Sequence, residues 1–336
     1  MSLWIAFILC TSAIVYAGTR LSRYGDIIAE KTGLGRTWIG VVLMATVTSL
    51  PELVTGISSV TYAGVPDIAV GDVLGSCVFN MLILAILDAV YRPMPISAKA
   101  QQGHILSAGF GILLLGVVAL SIFLGSQALP LGWIGMYSLV FIVIYFFAMR
   151  MVYYYEKKQL ALFIDKAIEL QYGDIPTRAA VFHYAINAAI VIIAAMFLPK
   201  IGEGIAETTG LGQSFVGNIF IAMSTSLPEV VVSLAAVKMG AVDLAIGNLF
   251  GSNIFNILIL GIDDVFYVKG PLLSFTNQNH AISALSAIMM TAIAVIGLTY
   301  RAEKKPMLLA WDSVVIVLVY MINIALLFSM RQTVAF

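Results

Sequence analysis

Ten apolar runs, each long enough to cross a bilayer, follow one another along the chain. About 20 such residues span a hydrocarbon core. By that ruler the runs lie near 3–20, 37–62, 67–90, 104–124, 131–154, 179–199, 214–238, 243–267, 281–300 and 309–330. A helix satisfies its own backbone hydrogen bonds, which a spanning segment must do. The sequence therefore predicts an all-α membrane protein of ten transmembrane helices. With 61% hydrophobic and 11% charged residues among 336, it carries far more apolar surface than a soluble domain needs. The formal net charge is zero, and no basic run or Cys/His spacing points to nucleic acid or zinc. Cys10 and Cys77 both fall in apolar runs and read as small buried thiols.

The first run has no positive residue ahead of it, whereas Arg20 and Arg23 follow it. A cleaved signal has the opposite polarity, so this run reads as a retained first helix with its N-terminus outside, extending past Arg20 or lying tilted. Ten helices in that orientation put fifteen of the eighteen Lys and Arg residues in cytoplasmic loops and leave Lys200, Lys269 and Arg331 outside. That is the bias expected of cytoplasmic loops, and it places both termini outside.

Within the second run stands Thr48-Ser49-Leu50-Pro51-Glu52, and on the third Gly75-Ser76-Cys77-Val78-Phe79-Asn80. Both recur, as Thr225-Ser226-Leu227-Pro228-Glu229 and Gly251-Ser252-Asn253-Ile254-Phe255-Asn256. Ala29-Glu30-Lys31-Thr32-Gly33-Leu34-Gly35 likewise matches Ala206-Glu207-Thr208-Thr209-Gly210-Leu211-Gly212. The chain thus divides into a five-helix repeat over 1–154, a cytoplasmic linker over 155–178 and a second five-helix repeat over 179–336. An odd number of helices per repeat forces the second copy to enter the membrane upside down. Inverted repeats are a secondary-transporter architecture, with the site at the midplane where the halves meet. Duplication kept only for packing does not explain why the matching residues are the polar ones.

Thr48 and Glu52 are four apart and share a helix face, with Ser49 one step round. Pro51 lacks an N–H for the carbonyl of Val47 and opens the preceding turn. One turn so offers a carboxylate, two hydroxyls and loosened carbonyls, hard oxygen donors suited to Na⁺ or Ca²⁺. Ser76 and Asn80 are again four apart, and Gly71 with Gly75 forms a small-residue packing face. Thr225, Ser226, Glu229, Ser252 and Asn256 repeat the arrangement, with Gly247 and Gly251 as the packing face. A two-fold axis in the membrane plane should bring Glu52 and Glu229 together. Two facing carboxylates then call for one divalent or several monovalent cations. Taken singly, each hydroxyl is explained by a bond to its own i−4 carbonyl.

Thr-Ser-Leu-Pro-Glu followed by Gly-Ser-x-x-x-Asn, in two inverted copies, resembles the alpha repeats of the cation/calcium antiporter superfamily, and its sodium/calcium exchanger branch most. The resemblance covers motifs 45–80 and 222–256 and the ten-helix layout. It implies a secondary antiporter exchanging Na⁺ for Ca²⁺ in the cell membrane by alternating access. The implied central Ca²⁺ site is Glu52 and Glu229 with backbone oxygens of Thr48 and Thr225. The implied Na⁺ sites are Ser49, Ser76 and the carbonyl of Ala45 on one side, and Ser226, Ser252 and the carbonyl of Ala222 on the other. Asn80 and Asn256 line the middle position, and the first and sixth helices slide across the rest. No cofactor is implied; the partners are lipid and the two ions, and the unit is a monomer.

Four departures from the family pattern stand out. Val47 and Ser224 precede the threonines where Gly is usual. Asn256 replaces an Asp carried by many microbial and by potassium-dependent members, which points to K⁺ independence. Asp72 stands where the second repeat has Asn248, and reads as a packing hydrogen bond, a protonated carboxyl, a proton-sensitive group or an extra ion ligand. The Gly-Asn-x-x-Glu helix start of the proton-coupled branch is absent, favouring Na⁺. The alternatives are an H⁺-coupled or Mg²⁺ antiporter on the same scaffold and, in another class, a cation channel. No His-Glu-x-x-His, Gly-x-Gly-Asp or Ser with a base on the same helices suggests an enzyme. Asp67 and Asp243 read as helix N-caps in preference to an ion-attracting mouth, Asp88 and Asp264 as interfacial, His183 as packed or partner-bonded in preference to a pH sensor, and Trp133 with Tyr153–Tyr155 as an aromatic belt.

Overall fold

The computed structural model of the chain describes residues 2–92, 94–125, 130–163, 172, 174–209, 225–305 and 308–331. The long helices are α1 (Ser2–Thr32), α2 (Arg36–Ala63), α3 (Pro66–Val90), α4 (Gly103–Leu124), α5 (Met136–Phe163), α6 (Thr177–Thr209), α7 (Leu227–Lys238), α8 (Val242–Phe266), α9 (His280–Tyr300) and α10 (Trp311–Arg331). Nine helices among the described residues are long and apolar enough to cross a membrane. The seventh expected segment, 214–238, is described only from residue 225. The protein is a multi-pass, helical integral membrane protein. A two-residue antiparallel pair, β1 (Pro130–Leu131) and β2 (Ile134–Gly135), leads into α5.

Two helices outrun their apolar segments. α1 continues past Arg20 through the helix-forming Ala29-Glu30-Lys31 and stops before Gly33, whose φ is +64°. α5 likewise runs on to Phe163, so the first part of the expected 155–178 linker is helix. Glu156-Lys157-Lys158-Gln159 favours that continuation.

α3 and α8 form the centre. Of the nine described spans α8 is the most enclosed and α10, at the edge, the least. α3 packs on α2, α9 and α10, while α8 packs on α7, α4 and α5; each repeat's third helix is thus wrapped by the other's fourth. α1 and α6 lie along each other, with α1 also on α7 and α6 on α2. α2 and α8 approach each other backbone to backbone. A Cβ on Gly251 would stand 2.4 Å from the carbonyl oxygen of Val41, and one on Gly247 2.8 Å from that of Thr37. The expected packing face of the second repeat is therefore real, and it needs glycine because backbone meets backbone.

Paired acids lock this arrangement, and two of the sequence expectations are corrected by it. Asp67 and Asp243 do not cap their own helices. Asp67 Oδ1 accepts from Asn277 N at 2.7 Å and lies 2.9 Å from His280 Nε2, both in the opposite repeat. Asp243 Oδ1 repeats this with Gln101 N at 2.8 Å and His104 Nε2 at 3.1 Å. Asp88 and Asp264 are fully buried, not interfacial. Asp88 accepts from Ile96 N at 2.8 Å and Ala310 N at 2.7 Å and pairs with Lys305 at 2.8 Å. Asp264 accepts from Leu272 N at 2.6 Å, Gly135 N at 2.7 Å, Ser138 Oγ at 2.5 Å and Tyr137 Oη at 3.0 Å. Each acid thus ties the end of its helix to a loop, because buried backbone N–H groups there have no other acceptor. His183 is exposed on α6, although its ring stacks on Tyr24 with centroids 4.9 Å apart, and Trp133 is exposed while donating to Val265 O at 3.1 Å.

Candidate functional site

α2 is not one continuous α-helix. π-helical turns occupy Gly40–Met44 and Ser59–Ala63, and the chain pauses at Ser49, with φ −94° and ψ 7°, before restarting at Leu50. The second repeat pauses at Ser226, with φ −83° and ψ 6°, before Leu227. Both restarts carry Pro in the first turn, where its missing N–H costs nothing. Glu52 and Glu229 consequently sit in the first turns of new half-helices, whose free N–H groups and dipoles favour a negative charge. The break expected from Pro51 is present, displaced to the serine ahead of it.

Every expected site side chain in the described residues is buried: Thr48, Ser49, Glu52, Ser76, Asn80, Thr225, Ser226, Ser252 and Asn256, with Glu229 at 1% and Asp72 at 6% exposure. Ala45 is buried, and its carbonyl accepts from Ser49 N at 3.0 Å and Thr48 Oγ1 at 3.3 Å. Ala222 and Ser224 lie outside the described residues.

The two repeats mesh through their hydroxyls. Ser49 Oγ donates to Glu229 Oε1 at 3.1 Å, and Ser252 Oγ donates to the same oxygen at 3.3 Å. Across the axis, Ser76 Oγ donates to Glu52 Oε1 at 3.3 Å and accepts from Ser226 Oγ at 3.0 Å. The serines therefore sort differently from the expected sets. Ser49 joins Ser252 around Glu229, and Ser76 joins Ser226 around Glu52, because the inverted fold lays each second-helix break against the third helix of the other repeat. Thr48 Oγ1 donates to Asn248 Oδ1 at 3.2 Å, and its counterpart Thr225 Oγ1 donates to Asp72 Oδ1 at 3.1 Å. Asp72 so makes the packing bond that Asn248 makes in the other half, with an acid in place of an amide.

Asn253 was missed by sequence reasoning. It occupies the position equivalent to Cys77, and its amide crosses between the repeats, accepting from Asn80 Nδ2 at 2.9 Å and donating to Cys77 O at 3.3 Å. A polar residue opposite a thiol in the aligned repeats was the available signal.

What the network leaves over defines the site's chemistry. Among the described residues, Glu52 Oε2, Glu229 Oε2, Asn80 Oδ1, Asn256 Oδ1 and Asp72 Oδ2 are buried acceptors with no donor. Glu52 lies within electrostatic reach of both Glu229 and Asp72. Among the described residues, no Lys, Arg or His pairs with any of these three acids. Buried charge without a partner is strongly unfavourable. The unpaired oxygens of Glu52, Glu229, Asn80 and Asn256, with no cationic side chain beside them among the described residues, form a place for a cation, held by hard ligands.

An inverted pair of repeats with broken helices and an oxygen-lined site at their interface is the build of a secondary ion transporter. A family model described as sodium/calcium exchanger protein matches residues 2–154 and 180–329, and the chain belongs to that family. Among curated relatives it is similar to the sodium/calcium exchanger MaX1 of Methanosarcina acetivorans, 27% identical over 90% of this chain and 91% of that one. It is also similar to the putative antiporter CaxA of Alkalimonas amylolytica, 28% identical over 75% of this chain and 77% of the relative. Among solved structures, the sodium-calcium exchanger NCX_Mj soaked with 2.5 mM Na⁺ and 0.1 mM Ca²⁺ shares the fold, with a TM-score of 0.72 at 21% identity over 97% of this chain and 98% of that one.

Proposed function

We propose that the protein exchanges Na⁺ for Ca²⁺ across the membrane by alternating access, independently of K⁺. The observation that carries this is the set of unpaired oxygens contributed by both repeats, headed by Glu52 and Glu229. In this reading Glu52 and Glu229 with the backbone of Thr48 and Thr225 take Ca²⁺. Ser76 and Ser226 beside Glu52, and Ser49 and Ser252 beside Glu229, take Na⁺ with the carbonyls of Ala222 and Ala45. Asn80 and Asn256 line the middle. Empty, the site holds two uncompensated carboxylates in a low-dielectric core; loaded with one Ca²⁺ or several Na⁺ it is balanced and can switch sides. The α1–α6 pair is the element that slides. The units are 1–154 and 179–336, acting as a monomer in the cell membrane with both termini outside.

The amide of Asn256, in place of an acid, leaves one charge fewer for a third kind of ion and supports K⁺ independence. The test is ⁴⁵Ca²⁺ uptake into proteoliposomes under an outward Na⁺ gradient, with and without K⁺, against an imposed pH gradient. Uptake should follow Na⁺ alone and vanish in E52Q and E229Q. Uptake driven by the pH gradient alone, or retained in both variants, would sink the reading.

A further inference from the structure

Asp263 and Asp264 are neighbours on α8 with opposite surroundings. Asp264 is saturated by four donors, whereas neither carboxylate oxygen of Asp263 has a partner among the described residues although the residue is fully buried. Among the described residues, the charged groups within electrostatic reach of Asp263 are Asp72 and Asp264, both acids. No ion pair of the described residues includes it. Asp263 is therefore not a loop tie of the Asp264 kind, and its burial calls for a positive partner.

Its place in the fold says where that partner would stand. The carboxylate lies against Gly56 of α2, where a Cβ would come within 2.7 Å of Oδ1 and closer still to Oδ2. Gly56 is one turn beyond Glu52 on the same helix face. Asp72, within reach of Glu52 as well as of Asp263, has Oδ1 held by Thr225 and Oδ2 unpaired. The acids thus step outward from the central pair, through Asp72 to Asp263, toward the face bearing Asp67. The repeat equivalents of Asp72 and Asp263 are Asn248 and Leu87, so the opposite side has no such pair.

We propose that Asp72 and Asp263 form a second cation-binding station, taking Ca²⁺, between the central site and the membrane face that carries Asp67. Two carboxylates with three unpaired oxygens match a divalent hard cation in charge and ligand type. Gly56 supplies the room, since any side chain there would displace the Asp263 carboxylate. On the orientation argued above this is the outer face, so the station concentrates external Ca²⁺ next to the exchange site and gives the two membrane faces different apparent affinities. The proposal rests on the exchange reading for its physiological role, and binding measurements separate the two.

The full-length protein in detergent is titrated calorimetrically with CaCl₂ in Na⁺-free buffer. Wild type should take up one more Ca²⁺ than D263N. E52Q/E229Q should keep one Ca²⁺ that D263N added to it removes. G56A, which removes no carboxylate but pushes that of Asp263 aside, should weaken that residual binding several-fold, and supplies the answer if D263N is not monodisperse. Loss of all Ca²⁺ binding in E52Q/E229Q, or residual binding indifferent to both D263N and G56A, overturns the station, leaving Asp263 as a protonated carboxyl. Unchanged stoichiometry in E52Q/E229Q with a loss in D263N would instead sustain the station and remove the central assignment.

Discussion

Ser49 of the first repeat donates its hydroxyl to Oε1 of Glu229 in the second, at 3.1 Å, so the second half does not complete its own carboxylate cradle. Ser252 reaches the same oxygen at 3.3 Å. A hydrogen bond to a charged group is worth about 1.5–3 kcal/mol, and each 1.4 kcal/mol is about tenfold in affinity. S49A should therefore raise the half-saturating Na⁺ concentration for Ca²⁺ exchange about tenfold or more. S252A should act similarly, and the double variant should fall short of the sum, because both donors serve one atom. An S49A protein with unaltered Na⁺ dependence would detach this hydroxyl from ion binding.

Asn253 is the second crossing, and it acts as a positioning residue. By accepting from Asn80 Nδ2 it fixes the orientation of the Asn80 amide, whose Oδ1 has no partner among the described residues. N253A removes that acceptor and the donor to Cys77 O, both buried, at a cost of about 1–3 kcal/mol for each group left unsatisfied. We expect a lower melting temperature in detergent together with impaired Ca²⁺ exchange. N253D keeps the acceptor while losing the donor, and should recover part of the exchange. Equal behaviour of the two variants would show that Asn253 serves packing alone.

Much of this could be read from the residues. Apolar runs gave the spans, and the duplicated Thr-Ser-Leu-Pro-Glu gave the inverted repeat and both buried acids. The local effect of Pro51 is a property of its own ring, so a break in α2 was legible too. Which residues meet was not. Sorting Ser49 with Ser252, or Asp67 with His280 rather than with its own helix, depends on how one repeat lies on the other, and sequence spacing holds no record of that. The π turns at Gly40–Met44 and Ser59–Ala63 were likewise invisible, and the first of them packs against α8 of the other repeat. Asp263 was passed over because its neighbour Asp264 carried the repeat; only burial without a partner distinguishes it.

The α2–α8 contact predicts a sharp contrast among glycines. A Cβ at Gly251 would meet Val41 backbone atoms at 2.4 and 2.5 Å, and backbone cannot yield as a side-chain tip can. G251A should cost about 1–3 kcal/mol or more by overpacking. Gly109 and Gly116 of α4 have nothing within 4 Å of an added Cβ, so G109A and G116A should be neutral or stabilise by up to about 1 kcal/mol through helix propensity. Melting curves of the three variants in one detergent decide it. A G251A protein as stable as G109A would mean that α2 and α8 do not approach this closely.

The two His–Asp ties are equivalent by repeat but not by burial, which separates their contributions. His104 is fully buried and Asp243 is 16% exposed, whereas His280 and Asp67 are 19% and 47% exposed. A solvent-accessible pair contributes about 0–1 kcal/mol. Removing a buried partner leaves a desolvated acceptor and costs about 1–3 kcal/mol. H104A should therefore lower the melting temperature clearly more than H280A. Because His104 and Asp243 join α4 of one repeat to α8 of the other, the loss should also loosen the enclosure of α8, seen as faster amide exchange near Asp243. If H280A is the more damaging, the outer tie is load-sharing in a way its exposure does not reveal, and the buried tie is not what holds the repeats in register.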